Sequence, residues 1–162
     1  MEPTAYMHPA PGIARHIQRL LWMSVGFSIT ALGFSVGTFS QFSLFITPSA
    51  FVFGISHNIT LLVLSAKERK QTAQDRAGKL PATATKASII CSWILAVVWC
   101  GSFATLIIFG AFFIGDGDDS VLRIVPWFEF AFVVLEIITM VALAVMCHKE
   151  RRAVASGTLR NV

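Results

Sequence analysis

Charged residues are scarce in this chain: 14% of its 162 residues are Asp, Glu, Lys or Arg, whereas 55% are hydrophobic. Soluble domains carry roughly 25% charged residues, so the sequence lacks the polar surface that a water-soluble domain needs. Leu20 to Ala66 contains no charged side chain at all. The composition therefore argues against a soluble globular domain and predicts an integral membrane protein.

Cysteine and histidine are also sparse, which argues against several kinds of site. None of the 3 cysteines falls in a predicted outer loop, where a disulfide could persist. The 4 histidines are scattered without the spacing of paired metal ligands. The chain also lacks a phosphate-binding glycine loop and a nucleophile elbow. We therefore expect no enzymatic activity, no cofactor and no metal.

The apolar segments are long enough for four membrane crossings at about 20 residues each. They predict an all-α, integral membrane four-helix bundle that forms one domain over residues 1–162. We place the break between the first two spans near Pro48, because proline lacks a backbone donor and disfavours helical geometry at Thr47. The fourth span is predicted to end at Met146, before the charged sequence HKERR. The predicted spans are residues 17–39, 48–66, 87–114 and 126–146.

The polar loop of residues 67–86 sets the predicted orientation. It carries six cations and two anions, and lysine and arginine favour the cytosolic side of a membrane. Both tails, residues 1–16 and 147–162, then also lie in the cytosol, so that 12 of the 13 Lys and Arg residues are cytosolic and Arg123 is the exception. We expect this loop to contact anionic lipid of the cytosolic leaflet, and the net charge of +4 needs no nucleic acid as a partner.

Two segments of the sequence also allow other interpretations. A cleaved signal peptide would also place Arg15 and Arg19 before an apolar run, but this run is far longer than a signal core of about 7 to 15 residues. The loop at residues 115–120 holds three aspartates with glycine spacers and partly resembles a calcium loop. It is shorter than the roughly 12 residues of an EF-hand and lacks the terminal glutamate, so a solvated acidic turn is favoured.

Small residues recur along one side of the first span. Gly26, Thr30, Gly33 and Gly37 are spaced by four, three and four residues, which places them on one helical face. Such faces let helix backbones approach closely in lipid, either inside the bundle or in a homo-oligomer. Further small residues with the same predicted packing role follow in the second and third spans: Ala50, Gly54, Ser88, Ser92 and Ala96.

Besides serines and threonines, the predicted spans contain a histidine, an asparagine and two glutamates well inside their ends, where unpartnered polar groups are costly. His57 and Asn58 are central in the second span, and Glu136 is at a similar depth in the fourth. Glu129 is two turns nearer the outer surface, where we expect it to be hydrated. We predict that Glu136 joins His57 and Asn58 in a buried cluster. The cluster either clamps spans two and four together or relays protons or holds a polar ligand.

Cys147 lies at the inner end of the fourth span, next to Lys149 and Arg151. Cysteines beside the membrane are targets of S-palmitoylation, which makes Cys147 a candidate for that modification.

The layout of four spans, cytosolic termini and very short outer loops resembles that of MARVEL-type tetraspan proteins. The resemblance implies a role in membrane organisation, lipid-domain association or vesicle traffic, through helix packing and not catalysis. We therefore predict a non-enzymatic organiser, or an accessory subunit of a larger complex, in the plasma membrane or an endomembrane. A small proton, ion or solute carrier that uses Glu136 and His57 is the alternative. A glutathione-transferase-like enzyme is disfavoured, because it would need intramembrane arginines.

Overall fold

A computed structural model describes residues 11–37, 46–72, 74–75, 79–113 and 120–159 of the chain. These ranges form four long helices and a single 3₁₀ turn at Ala82–Ala84, and they contain no β-strand. All four helices are long and apolar enough to cross a membrane, so the predicted all-α, four-span architecture is confirmed. The helices are α1 (Pro11–Gly37), α2 (Ile46–Arg69), α3 (Lys86–Phe113) and α4 (Ser120–Leu159).

The four helices pack as a ring in chain order. Each of α1 and α3 contacts both α2 and α4, whereas α2 and α4 are diagonal and make no direct backbone contact. Residues from the start of α1, the end of α2 and the distal part of α4 line one cavity at the same end of the bundle. Successive helices are therefore antiparallel neighbours, as short connections favour.

All four helices begin earlier than the sequence predicts: α3 by one residue, α4 at Ser120 and not at Pro126, and α1 and α2 at or beside a proline. α1 starts at Pro11, so the predicted tail of residues 1–16 ends in a helix. Proline suits a first helical position, because its missing N–H has no intrahelical acceptor there. α2 starts at Ile46, which shows that the expected non-helical geometry at Thr47 was wrong. Pro48 is in the first turn, where backbone N–H groups lack intrahelical partners in any case.

The fourth helix is much longer than its predicted span. It contains 40 residues, or about 60 Å at 1.5 Å per residue, which is about twice the thickness of the hydrocarbon core. Met146 marks the point where the sequence becomes charged, but the helix continues to Leu159. The continuation is rich in Lys, Glu, Arg and Ala, which are strong helix formers whether or not lipid surrounds them.

The core is built from one inward stripe on each helix, with spacings of three and four residues. The stripe of α4 follows a strict heptad pattern, as in bundles whose helices cross at small angles. Large apolar side chains such as Phe53 and Val97 point outward on the other faces. The buried α4 stripe consists of Glu129, Val133, Glu136, Met140, Leu143, Cys147 and Glu150.

The predicted small face of α1 does not pack inside the bundle. Gly26 and Gly33 are exposed, and a Cβ added at either position meets no atom within 4 Å. Thr30 is half-buried and its hydroxyl donates to the carbonyl of Gly26 in the same helix, at 2.9 Å. The interpretation as an internal packing face was therefore wrong, because a neighbouring stripe of α1 faces the core instead. The surroundings of Gly37 lie outside the part of the chain whose side chains are described.

The small residues of α2 and α3 do lie within the bundle. Ala50, Gly54, Ser88, Ser92 and Ala96 are all buried. Farther along α3 at the same spacing of four residues, Cys100 and Ala104 are exposed. Each step of four residues rotates a position by about 40° around a helix, so a long row at this spacing turns away from a fixed neighbour.

Candidate functional site

The inward stripe of α4 carries three glutamates. Glu129, Glu136 and Glu150 are each 0% exposed, and they share a heptad position that Leu143 occupies between the last two. Buried carboxyl groups are costly unless other groups hydrogen-bond to them. The surroundings of each glutamate therefore indicate what the site is built to do.

Glu136 accepts two hydrogen bonds from α1. The hydroxyls of Ser24 and Ser28 both donate to its Oε1 atom, with an oxygen–oxygen distance of 2.9 Å for Ser28. The two serines are four residues apart, so their side chains lie on the same face one turn from each other. Two donors from one helix thus converge on a single carboxyl oxygen in the middle of the bundle.

Asn58 joins the same network from α2. Its Nδ2 atom donates to Ser24 Oγ at 2.6 Å, and Ser24 in turn donates to Glu136. The chain Asn58–Ser24–Glu136 therefore crosses three helices. The structure brings Asn58 and Glu136 together as predicted, but α1 provides the link between them. The prediction of a direct clamp between spans two and four was therefore wrong. Those two helices are diagonal in the bundle, and Ser24 of α1 links them.

His57 does not belong to this network. It is half-buried, and its Nε2 atom is 3.2 Å from Ser92 Oγ on α3. Consecutive helical residues point about 100° apart, so His57 and Asn58 face different neighbours. The Ser92 hydroxyl also lies within hydrogen-bonding distance of the carbonyl of Ser88, at 2.9 Å. The prediction that His57 and Glu136 share one cluster was wrong.

Glu129 is buried and not hydrated, contrary to its expected position near the outer surface. The phenyl rings around this end of α4 pack against α1. Phe34 stacks on Phe128 and Phe132, with ring centroids 5.5 and 5.8 Å apart, and Phe27 lies 6.2 Å from Phe132. Close aromatic contact between α1 and α4 thus accompanies the burial of Glu129 at this end of α4.

Glu150 is a buried residue that the sequence interpretation missed. The Thr83 hydroxyl, in the 3₁₀ turn, donates to its Oε2 atom. Its position within HKERR suggests a solvated tail, and for that reason it was not predicted. The available signal was the heptad register, since counting seven residues from Glu129 reaches Glu136, then Leu143, then Glu150.

Two acceptor atoms near the centre of the network have no hydrogen-bond partner within the described part of the chain. They are Glu136 Oε2 and Asn58 Oδ1, and both are buried. A neutral carboxylic acid suits this arrangement: Oε1 receives both serine hydroxyls, while a proton on Oε2 removes the cost of a buried charge. The site can therefore hold a proton in the middle of the span.

The structure places Cys147 on the inward stripe of α4, where it is 0% exposed. The predicted palmitoylation needs an accessible thiol, so the buried position argues against it. The heptad register explains the burial, since Cys147 is one turn from both Leu143 and Glu150. Within the described ranges, no group of three or more His, Cys, Asp or Glu side chains could hold a metal ion.

No protein-family model, no curated protein and no solved structure matches this chain. The resemblance to MARVEL-type proteins therefore stays a prediction from layout. What the structure shows is a multi-pass membrane bundle with a buried polar network at its centre.

Proposed function

We propose that this protein is a non-enzymatic tetraspan organiser, which acts in membranes by presenting apolar helix faces to lipids, to further copies of itself or to a larger complex. The observation that carries this proposal is the inward pairing of polar groups. Asn58, Ser24 and Glu136 bond to one another, and Thr47 Oγ1 lies 2.5 Å from Ser102 Oγ between α2 and α3. Polar contacts of this kind hold the bundle closed and leave aliphatic and aromatic side chains outside.

The exposed face of α1 supports association with another helix. Gly26 and Gly33 leave open space above the helix backbone, while Trp22 and Val36 on the same helix are 60% exposed. Close approach of helix backbones is a main source of association in lipid. Within this proposal both termini are cytosolic, which is supported by the position of Arg15 and Arg69 at one end of the bundle.

The test is the size of the native complex. We expect chemical crosslinking in membranes, followed by native mass spectrometry of the mildly solubilised protein, to detect an oligomer or a larger complex. Gly26→Leu with Gly33→Leu should reduce that complex several-fold. Gly101→Leu is the matched control, because a Cβ at Gly101 also meets nothing within 4 Å but lies on α3. A wild-type protein that is monomeric and without partners in its own membrane contradicts the proposal.

A second candidate function is proton carriage, and the two buried acceptors Glu136 Oε2 and Asn58 Oδ1 favour it. Proton flux into liposomes that contain the purified protein separates the two functions. An organiser leaves the flux at the level of protein-free liposomes. A carrier raises it, and Glu136→Gln then abolishes the increase, because glutamine keeps the serine contacts but cannot release a proton.

A further inference from the structure

A cavity of about 200 Å³ opens at the charged end of the bundle, between the first turns of α1, the end of α2, the 3₁₀ turn and α4. It is smaller than the roughly 300 to 1,000 Å³ of most ligand pockets, so a small polar group suits it better than a whole metabolite. The cavity adjoins the ends of three candidate membrane spans. In a membrane, the groups available at that depth are lipid headgroups.

Cations form one part of the cavity wall. Arg15 comes from α1 and Arg69 from the last turn of α2. The Arg69 guanidinium donates to Gln18 Oε1, which holds it against α1 beside the cavity. Guanidinium groups match the geometry of phosphate oxygens and bind them through paired hydrogen bonds.

Carboxyl groups form another part of the wall. Glu68 Oε1 accepts a hydrogen bond from the backbone N–H of Ala82 at 2.9 Å, and Glu150 accepts one from Thr83. The 3₁₀ turn thus fixes the positions of both acids. Carboxylates can accept further hydrogen bonds from an ammonium group, because each oxygen has two lone pairs. Because Glu150 is fully buried, Glu68 is the acid that this wall presents beside the two arginines of α1 and α2.

Apolar side chains of α1 form a further part of the wall. Ile17 and Leu21, one turn apart on α1, line the cavity and are each 1% exposed. We propose that the cavity binds the headgroup of a phospholipid with a primary ammonium, of the phosphatidylethanolamine type. Arg15 and Arg69 bind the phosphate, and Glu68, the half-buried acid of the wall, accepts a hydrogen bond from the ammonium. The site requires only the bundle and its membrane, so it does not depend on the proposed organiser function.

Headgroup chemistry provides the first test. The purified full-length protein is mixed with equal amounts of phosphatidylethanolamine, phosphatidylcholine and phosphatidylglycerol of the same acyl chains, and retained lipids are counted by native mass spectrometry. We expect about ten times more ethanolamine lipid than choline lipid to be retained, because a quaternary ammonium has no N–H to donate. A ten-fold ratio in binding corresponds to about one charge-assisted hydrogen bond. Equal retention, or a preference for the glycerol lipid, overturns the proposal.

Variants provide the second test. Arg15→Gln with Arg69→Gln should reduce lipid retention at least about ten-fold. Arg19→Gln with Lys67→Gln removes two charges from the same two helices at exposed positions outside the cavity wall, and should leave retention unchanged. Glu68→Gln keeps an acceptor for Ala82 and should lower only the preference for ethanolamine over choline. Equal losses in the two double variants overturn the proposal in favour of general surface charge.

A third experiment tests whether the ligand is a lipid or a soluble phosphate. Millimolar inorganic phosphate should leave the retained ethanolamine lipid in place. Displacement by phosphate alone shows that a free anion is the ligand and overturns the lipid assignment. The retention ratio of the wild-type protein remains a complete test even where a variant folds poorly.

Discussion

Two faces of α1 are both built from small residues, yet they have opposite surroundings. Ser24, Ser28 and Ser35 are 0% exposed in the core, whereas Gly26 and Gly33 face outward with open space above them. The difference is chemical: serine hydroxyls can hydrogen-bond to the carboxyl group of α4, and glycine has no side chain with which to do so. Partner chemistry, more than residue size, thus decides which face of this helix turns inward.

The largest expected effect that tests this comparison is at Ser24. Ser24→Leu removes the bonds to Glu136 and Asn58 and adds bulk at a fully buried position. We expect it to lower the free energy of unfolding by about 3 kcal/mol or more, since overpacking and unpaired buried polar groups both contribute. Unfolding in detergent, followed by circular dichroism, measures the loss. Gly26→Leu, two residues away on the outward face, should not lower stability and should raise it by no more than about 1 kcal/mol, because leucine is a better helix former than glycine.

A smaller effect is expected at Ser28, which provides one of two hydroxyl donors to Glu136. Ser28→Ala should cost about 1 to 2 kcal/mol, because the bond from Ser24 remains. The same unfolding measurement applies. Ser56→Ala is a matched control, since the Ser56 hydroxyl bonds only to the carbonyl of Val52 in its own helix at the surface. Similar losses for both variants contradict the view that Ser28 stabilises the contact between α1 and α4.

Glu136→Gln should have a smaller effect still, about 1 kcal/mol or less. Glutamine keeps an oxygen that accepts the hydrogen bonds of both serines. It also replaces Oε2 by an N–H donor, in a network where the acceptor Asn58 Oδ1 has no partner within the described residues. Glu136→Ala, which removes every acceptor, should cost more. If glutamine is as damaging as alanine in the unfolding assay, the network needs a charged carboxylate and the neutral-acid interpretation fails.

The smallest effect is expected on the outward face. Gly33→Ala adds a methyl group into open space and raises helix propensity, so the stability of the single bundle should stay unchanged or rise by up to about 1 kcal/mol. Thermal unfolding of the monomer measures it. A clear destabilisation of the monomer shows that this face packs inside the bundle after all.

The four spans could be predicted from the sequence because lipid sets the length of an apolar segment. The residues of the polar network were only partly predictable. Glu136 and Asn58 are conspicuous as polar residues in apolar surroundings, whereas Ser24 is common in such segments and gives no signal until Ser28 and Ser35 are seen to share its face. The spacing of small residues on α1 fits both the glycine face and the serine face. Spacing alone does not show which of the two packs inside the bundle, because that depends on the side chains of the neighbouring helices.

The end of α4 was unpredictable for a different reason. Hydropathy changes at Met146. Hydropathy indicates whether a segment is surrounded by lipid or by water, but it does not indicate whether the backbone is helical. Lys149, Arg151 and Arg152 are compatible with a helix in water, and the burial of Glu150 against Thr83 stabilises the continuation. Membrane boundary and helix boundary are separate properties, and only the first can be read from apolar residues.

The part of α4 between Pro126 and Gly157 has a mechanical consequence. No proline or glycine lies between Trp127 and Ser156, so this rod has no built-in joint where bending would concentrate. If a binding partner rotates the charged end of α4, that rotation should therefore be transmitted along the helix to Glu136 with little loss to bending.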